Sequence, residues 1–392
     1  MRSPPERSLG CRACHVPAIP SRRGRVEIVL RTCEQLVVNS RRPAQAAGRQ
    51  PIDEVRVTPS ASAICVIIAA RDAAATIQRA VRSALRETRV AEIVVVDDGS
   101  LDTTAEMALA VDDGSGRLRL LKLDSNRGPA FARNHAIGHS QSPLIAILDA
   151  DDFFLKGRFD RLVDTDDWDL VADNIVFIDA RSAALREPVV PDFDAQPRFL
   201  DLPGFVDGNI SRRGAPRGEI GFLKPVMRRA FLDGCGLRYR DELRLGEDYD
   251  LYARALIDGA RYKIVHACGY AAVVRANSLS VRHSTQDLER LYEADRAMLA
   301  SPALTAAATA ALRRHERHVR GRYELRRFLD AKSADGLRRA GLNALARPAA
   351  LPAIIGGLAA DKLDAVRARP AAAESPPPRY LLSTNPGARG KA

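Results

Sequence analysis

Apolar positions follow no sustained period over the first 60 residues, and the pattern changes sharply from Ala63. Residues 64–69 (Ile-Cys-Val-Ile-Ile-Ala) form a short unbroken apolar run. Such a run predicts a strand buried on both faces. Residues 74–85 then carry apolar side chains at helical spacing. The alternation continues, with strands expected at 92–96, 118–123 and 143–148 and helices at 103–111 and 129–137. Strand and helix in alternation predict a parallel α/β sheet with right-handed crossovers. Beyond residue 150 the signal is mixed. A strand is expected at 170–177, a loop-rich stretch broken by Pro and Gly at 181–220, a helix at 248–257 and a strand at 261–266. Residues 286–345 read as helical, with arginines on the polar faces. The pattern divides the chain into a disordered extension over 1–60, an α/β domain over 61–285, a helical extension over 286–345 and a mostly disordered tail over 346–392.

Charge sharpens this division. The chain of 392 residues has a formal net charge of +11. Residues 1–60 hold 11 Arg against 5 acids, and residues 346–392 hold 7 basic residues against 3 acids. Those segments account for +6 and +4, so the excess lies outside the predicted core. No recognised nucleic-acid motif accompanies it, and no nucleic-acid partner is expected. Six cysteines scattered at 11, 14, 33, 65, 235 and 268 are not a disulfide framework and fit a reducing compartment. Cys11-Arg12-Ala13-Cys14-His15 has the spacing of a c-type haem attachment site, but no segment around it is suited to packing a haem, and it reads as chance. No run of 18 apolar residues is present, so no transmembrane helix is expected. These features predict a cytoplasmic chain, or one peripheral to the inner face of a membrane.

The chemistry concentrates at predicted strand ends. In an open parallel sheet ligands bind beyond the carboxyl ends of the strands. The strand at 92–96 runs into Asp97-Asp98-Gly99-Ser100, and the strand at 143–148 into Asp149-Ala150-Asp151-Asp152. Carboxylates this dense repel one another unless water or a cation neutralises them. A hard divalent cation uses one or two carboxylates together with phosphate oxygens. Caps and turns are the competing explanation for such acids, and Asp102 is better read as one.

These motifs resemble a known family. Residues 67–73 (Ile-Ile-Ala-Ala-Arg-Asp-Ala), 94–100 (Val-Val-Val-Asp-Asp-Gly-Ser), Asn126-Arg127-Gly128 with Ala132-Arg133-Asn134, Leu148-Asp149-Ala150-Asp151-Asp152 and Gly246-Glu247-Asp248-Tyr249-Asp250 are similar, in order and spacing, to family 2 glycosyltransferases of the GT-A fold. Bacterial exopolysaccharide transferases of the succinoglycan type are the nearest likeness. The resemblance implies a Rossmann-like, mostly parallel sheet flanked by helices, with a helical C-terminal extension. It also implies inverting transfer from a nucleoside diphosphate sugar, a UDP-sugar by likeness, with Mg²⁺ or Mn²⁺. The implied acceptor is a saccharide, free or carried on a polyprenyl lipid at the cytosolic membrane face. Ala69 and Arg71 would lie in the nucleoside-binding loop, where Arg71 stands in place of the family's aromatic and can stack on a planar ring. Asp98, supported by Asp97, would bind the uracil or ribose. Arg133 would lie near the sugar and diphosphate, and Asp149 would face the ribose and sugar. Asp151 would bind the metal, with Asp149 and Asp152 as further ligands. Asp248 would be the general base, with Glu247 as a second acceptor contact or alternative base. Residues 275–283 would close over the diphosphate. The competing class is a non-catalytic scaffold of the same fold that binds the sugar nucleotide or acceptor.

Overall fold

The computed structural model describes residues 60–180, 198–211, 218–274, 283–367 and 378–382. The expectation for residues 1–60 therefore falls, but for Ser60, outside the described residues, as does most of the 275–283 segment.

The strands among the described residues are β1 (Ile64–Ala70), β2 (Val90–Asp97), β3 (Leu118–Lys122), β4 (Leu144–Ile147), β5 (Phe153–Phe154), β6 (Leu170–Asp179), β7 (Arg198–Leu200), β8 (Val226–Arg228), β9 (Tyr262–Val274) and β10 (Arg379–Tyr380). They form one sheet in the order β3-β2-β1-β4-β8-β6-β9-β5, with β10 on β6 and β7 on β9. β3, β2, β1 and β4 run parallel. β8 is antiparallel to both β4 and β6, so β6 and its parallel neighbour β9 point the same way as β1. Six strands thus end at one edge of the sheet. Residues 64–68 of β1 are fully buried, as their unbroken apolar run requires. Helices Ile77–Leu85, Thr104–Leu109 and Pro129–Gly138 are the crossovers between β1, β2, β3 and β4.

Two glycines mark close approaches. Gly99, at φ +67°, follows Asp97-Asp98, and a Cβ there would lie 2.7 Å from the backbone carbon of Ser125. Gly269 in β9 lies against Arg158, where a Cβ would come 2.3 Å from Arg158 Cγ. Arg158 is fully buried. Its Nε and Nη2 donate to Asp173 Oδ1 at 3.0 and 2.9 Å, and Nη2 donates to the carbonyl of Lys224 at 2.5 Å. Its guanidinium packs over the rings of Phe154, Phe159 and Tyr270. A charge this deep is tolerable because it is paired and hydrogen-bonded.

Helices Thr285–Met298 and Ala306–Leu345 occupy the predicted helical extension. Of residues 346–392, those described are 346–367 and 378–382, and they hold a helix and β10. Helix Leu351–Arg367 packs on Ala306–Leu345, with Ile354 buried and Gly357 so close to Leu325 that a Cβ would meet its Cδ2 at 2.4 Å. Two glycines and several alanines hide this helix from composition, yet they let the backbones approach. β10 then joins β6, and the side chain of Asn174 both accepts from the Leu382 N–H and donates to the Leu382 carbonyl. The extension is also tied to helix Glu247–Ile257. Tyr249 Oη donates to Asp295 Oδ1 at 2.9 Å, His315 Nδ1 lies 2.7 Å from Asp295 Oδ2, and the Tyr249 and His315 rings are 4.3 Å apart.

Gly269→Ala forces the Arg158 side chain to shift and lowers stability by about 1–3 kcal/mol, the usual range for overpacking a filled interior. Urea denaturation measures it. An unchanged midpoint would show that Arg158 has room to move.

Candidate active site

Five charged side chains from four segments meet at the carboxyl edge of the sheet. Asp149 follows β4. Arg133 lies on helix Pro129–Gly138. Lys224 lies two residues before β8, and Glu247 and Asp248 open helix Glu247–Ile257. Arg133 Nη1 donates to Glu247 Oε1 at 2.8 Å and to Asp248 Oδ1 at 3.2 Å, while Nη2 donates to Asp149 Oδ1 at 2.9 Å. Lys224 Nζ donates to Asp248 Oδ2 at 2.7 Å and lies 2.9 Å from Asp149 Oδ2. Asp149 and Asp248 are therefore bridged twice, once by each cation.

Burial makes these contacts matter. Arg133, Lys224 and Asp248 are 4%, 5% and 8% exposed, so solvent screens them little. Burial disfavours a charge on Asp149, but Lys224 and Arg133 outweigh it and hold its pKa at about 2. Burial likewise opposes charge on Lys224 and Arg133. The surrounding carboxylates outweigh it and push both pKa values above their ordinary values. Glu247 goes the other way. Burial raises its pKa, Arg133 lowers it, and Asp248 raises it again, for a net upward shift. Three carboxylates share two cations, and on Glu247, which has Arg133 as its cation, burial outweighs the pairing.

Neighbouring loops fix this arrangement. Asp98 accepts from the N–H groups of Arg127 (2.7 Å) and Gly128 (2.9 Å), which sets the start of the helix that carries Arg133. That uses two of the roughly four acceptor positions of a carboxylate. Asp97, almost fully buried, accepts from the Ser100 N–H. Asn134 donates to the Tyr239 carbonyl and accepts the Tyr239 N–H, and the Tyr239 ring lies 5.3 Å from the Arg133 guanidinium carbon. Asp72, at φ +47°, donates its N–H to Ser100 Oγ and accepts from the Leu101 N–H. The 69–72 loop with half-buried Ala69 and exposed Arg71 is thereby joined to the 97–101 loop. Asp102 accepts from the N–H groups of Ala74 and Thr104, as a cap does.

The structure shows the surroundings of three of the sequence candidates. Arg133 donates to three carboxylates, and its guanidinium is the centre of the acid cluster. Asp149 has both oxygens on cations. Asp152 turns away towards β9, where it accepts from the Val273 N–H and from Tyr270 Oη, each at 2.8 Å. Burial, then the charges of Asp151 and Asp149, raise its pKa well above the carboxylate range. Among the described residues no group of three or more His, Cys, Asp or Glu side chains is arranged to hold a metal ion. Asp151 remains half-buried beside the cluster. Lys224 was not singled out by its sequence. Its only mark there is a lone cation between Leu223 and the Pro225-Val226-Met227 run.

The profile of glycosyl transferase family 2 matches residues 65–233. The succinoglycan biosynthesis protein ExoU of Rhizobium meliloti (strain 1021) is 61% identical over 328 residues, covering 82% of this chain and 95% of that protein. The chain belongs to glycosyltransferase family 2. It is a glycosyltransferase with the GT-A fold, and its strand order and helical C-terminal part agree with that expectation. A UDP-Glc:α-D-GlcNAc-diphosphoundecaprenol β-1,3-glucosyltransferase of Escherichia coli, WfgD, is 29% identical over 116 residues, 29% of this chain and 44% of that protein. The crystal structure of S. aureus TarS 1–349 in complex with UDP-GlcNAc superposes with a TM-score of 0.53 at 16% identity, over 71% of this chain and 89% of that one. This similarity bears on the fold.

Two predictions follow from the cluster. Lys224→Met leaves Asp149 and Asp248 short of a buried cation and lowers stability by about 3–5 kcal/mol, read by urea denaturation at neutral pH; a loss below about 1 kcal/mol would show that Arg133 alone suffices. Because the pKa of Asp149 is lower folded than unfolded, its stabilising contribution is present above the unfolded value near 4 and is lost as pH falls towards about 2. Stability of the native chain should therefore fall over that interval, and Asp149→Asn should flatten that part of the profile.

Proposed function

We propose that this glycosyltransferase moves a sugar, with inversion, from a UDP-sugar to a saccharide carried on a polyprenyl diphosphate lipid in the biosynthesis of an exported polysaccharide. The observation that carries this reading is the double bridge between Asp149 and Asp248, which joins the strand end where the donor is expected to the helix start where the acceptor is expected. The 61% identity to a succinoglycan biosynthesis protein supports the pathway class. The activity by which the E. coli relative is named supports a UDP-sugar donor, with glucose the first sugar to test, and a lipid-linked acceptor.

In the proposed reaction the acceptor hydroxyl oxygen attacks the anomeric carbon. The bond from that carbon to the diphosphate oxygen breaks, the UDP leaves with the electron pair, and the hydroxyl proton passes to Asp248. Arg133 and Lys224 hold both Asp248 oxygens, so the base is oriented before the acceptor arrives. Glu247, with its raised pKa, is the alternative proton acceptor. Asp98 and the 69–72 loop, with Arg71, would meet the nucleoside.

The acid cluster has fewer cations than carboxylates, and it would repel a diphosphate unless a cation accompanies it. Asp151 fits that need, because Mg²⁺ and Mn²⁺ accept one carboxylate when phosphate oxygens complete the shell. Once bound, the ion would neutralise charge on the departing diphosphate. Asp149 and Asp152, each already accepting two hydrogen bonds or ion pairs, would be further ligands.

Screening purified protein with Mn²⁺ for hydrolysis of each UDP- and GDP-sugar identifies the donor, and a preference for GDP-sugars would overturn the UDP assignment. Asp248→Asn should retain UDP–Mn²⁺ affinity in calorimetry while transfer falls by about 10²–10⁴-fold. Asp151→Asn should weaken that affinity. Near-native transfer by Asp248→Asn would move the base to Glu247.

A further inference from the structure

Nine large hydrophobic side chains are exposed among the described residues, and five of them, Leu337, Leu342, Leu345, Ile355 and Leu363, fall within one stretch of 27 residues. The stretch begins where Gly336, at φ 80° and ψ 167°, breaks the long helix Ala306–Leu345. In the short helical piece after this break, Leu337, Leu342 and Leu345 share one side, within an arc of about 140° at 100° per residue. Ala340, on the opposite side, is buried. This piece therefore packs through a small residue and presents its leucines outward, the reverse of an ordinary surface helix. The axes of Ala306–Leu345 and Pro348–Leu363 meet at 106°, so the stretch forms a corner of the molecule. Ile355 and Leu363 are exposed on the second arm, at 63% and 54%.

The same corner is basic. Residues 332–362 contain five basic residues, Lys332, Arg338, Arg339, Arg347 and Lys362, against Asp335 and Asp361, although Arg347 is paired with Glu324 of the long helix at 2.9 Å and Arg339 with Asp335 at 3.9 Å. A second copy placed on this corner about a two-fold axis would set these cations against one another. The chain's own segments outside the described residues are poor partners too, since residues 1–60 carry a net +6. What matches exposed leucines interleaved with Lys and Arg is a surface that is apolar below and anionic above.

We propose that this corner, residues 337–363, docks in the interfacial layer of an anionic lipid bilayer, with Leu337, Leu342, Leu345, Ile355 and Leu363 inserted and the basic residues among the headgroups. The inference rests on the lipid-linked acceptor reading above only for its purpose, because docking would bring the site to an acceptor confined to a membrane. No single helix among the described residues is long and apolar enough to cross a membrane, although this bent pair is by length and composition; the proposal is of a peripheral, salt-sensitive attachment.

The test is co-sedimentation of the full chain with vesicles of phosphatidylcholine alone and of phosphatidylcholine with about one-third phosphatidylglycerol. The native chain should bind the anionic vesicles at least tenfold more tightly, and raising NaCl from 0.05 to 0.5 M should weaken this by a similar factor. The triple variant Leu337→Ser, Leu342→Ser, Leu345→Ser should lose most of the binding while its circular dichroism, melting temperature and hydrolysis of soluble UDP-sugar stay native. Anionic-vesicle binding retained in the triple variant would overturn the proposal and leave the basic termini as the anchor. Equal binding to both vesicle types would overturn the electrostatic part. If the native chain sediments as a dimer that the triple variant dissociates, the corner is an interface between copies. Because binding is read without any transfer reaction, a wrong donor or acceptor assignment does not affect the outcome.

Discussion

Three carboxylates and two cations meet in one space, with Arg133, Lys224 and Asp248 largely shielded from water and Asp149 partly open to it, and neither set is stable there without the other. Asp149, Glu247 and Asp248 would repel one another if left alone, and Arg133 or Lys224 alone would be a buried charge without compensation. The pairing in which each cation contacts both aspartates resolves both problems at once. It also means that the loop after β4 and the first turn of helix Glu247–Ile257 cannot move independently. A site that must bring a donor and an acceptor to a common line of attack gains most of its advantage from such fixed geometry.

Much of the surrounding structure maintains that cluster. Asp98 sets the start of the Arg133 helix, Asn134 fixes the loop that puts Tyr239 against Arg133, and Arg158 holds the Lys224 carbonyl from below. Gly269 leaves the room that Arg158 fills. Even the C-terminal extension contributes, because Asp295 and His315 grip Tyr249, the residue after Asp248. The extension is thus continuous with the site it borders, and the exposed corner at its far end extends the same framework towards a surface.

The parallel half of the sheet is legible in the sequence because burial on both faces leaves unbroken runs such as residues 64–68, which no solvent-facing strand needs. The acids were legible for a similar reason, since dense carboxylates at strand ends have few structural explanations. What escaped was set by contacts distant in sequence. Lys224 meets Asp149 across 75 positions, and nothing in its neighbours marks it as a partner. Asp152 seemed equivalent to Asp151 until the chain turned into β5, which sends it to Tyr270 and Val273 of β9. β5 and β8, of two and three residues, are too short for a period to show. Helix Leu351–Arg367 was obscured by Gly and Ala, the residues that allow its close packing on Leu325.

The central claim is that Asp149 and Asp248 act as one unit through shared cations. A double-mutant cycle on folding stability tests it most directly, using Asp149→Asn, Asp248→Asn and the double variant in urea denaturation. Two residues that share both partners should be non-additive by about 0.5–3 kcal/mol. Additivity within about 0.3 kcal/mol would mean that the two acids are independent, and the account of a single electrostatic unit spanning donor and acceptor sides would be wrong.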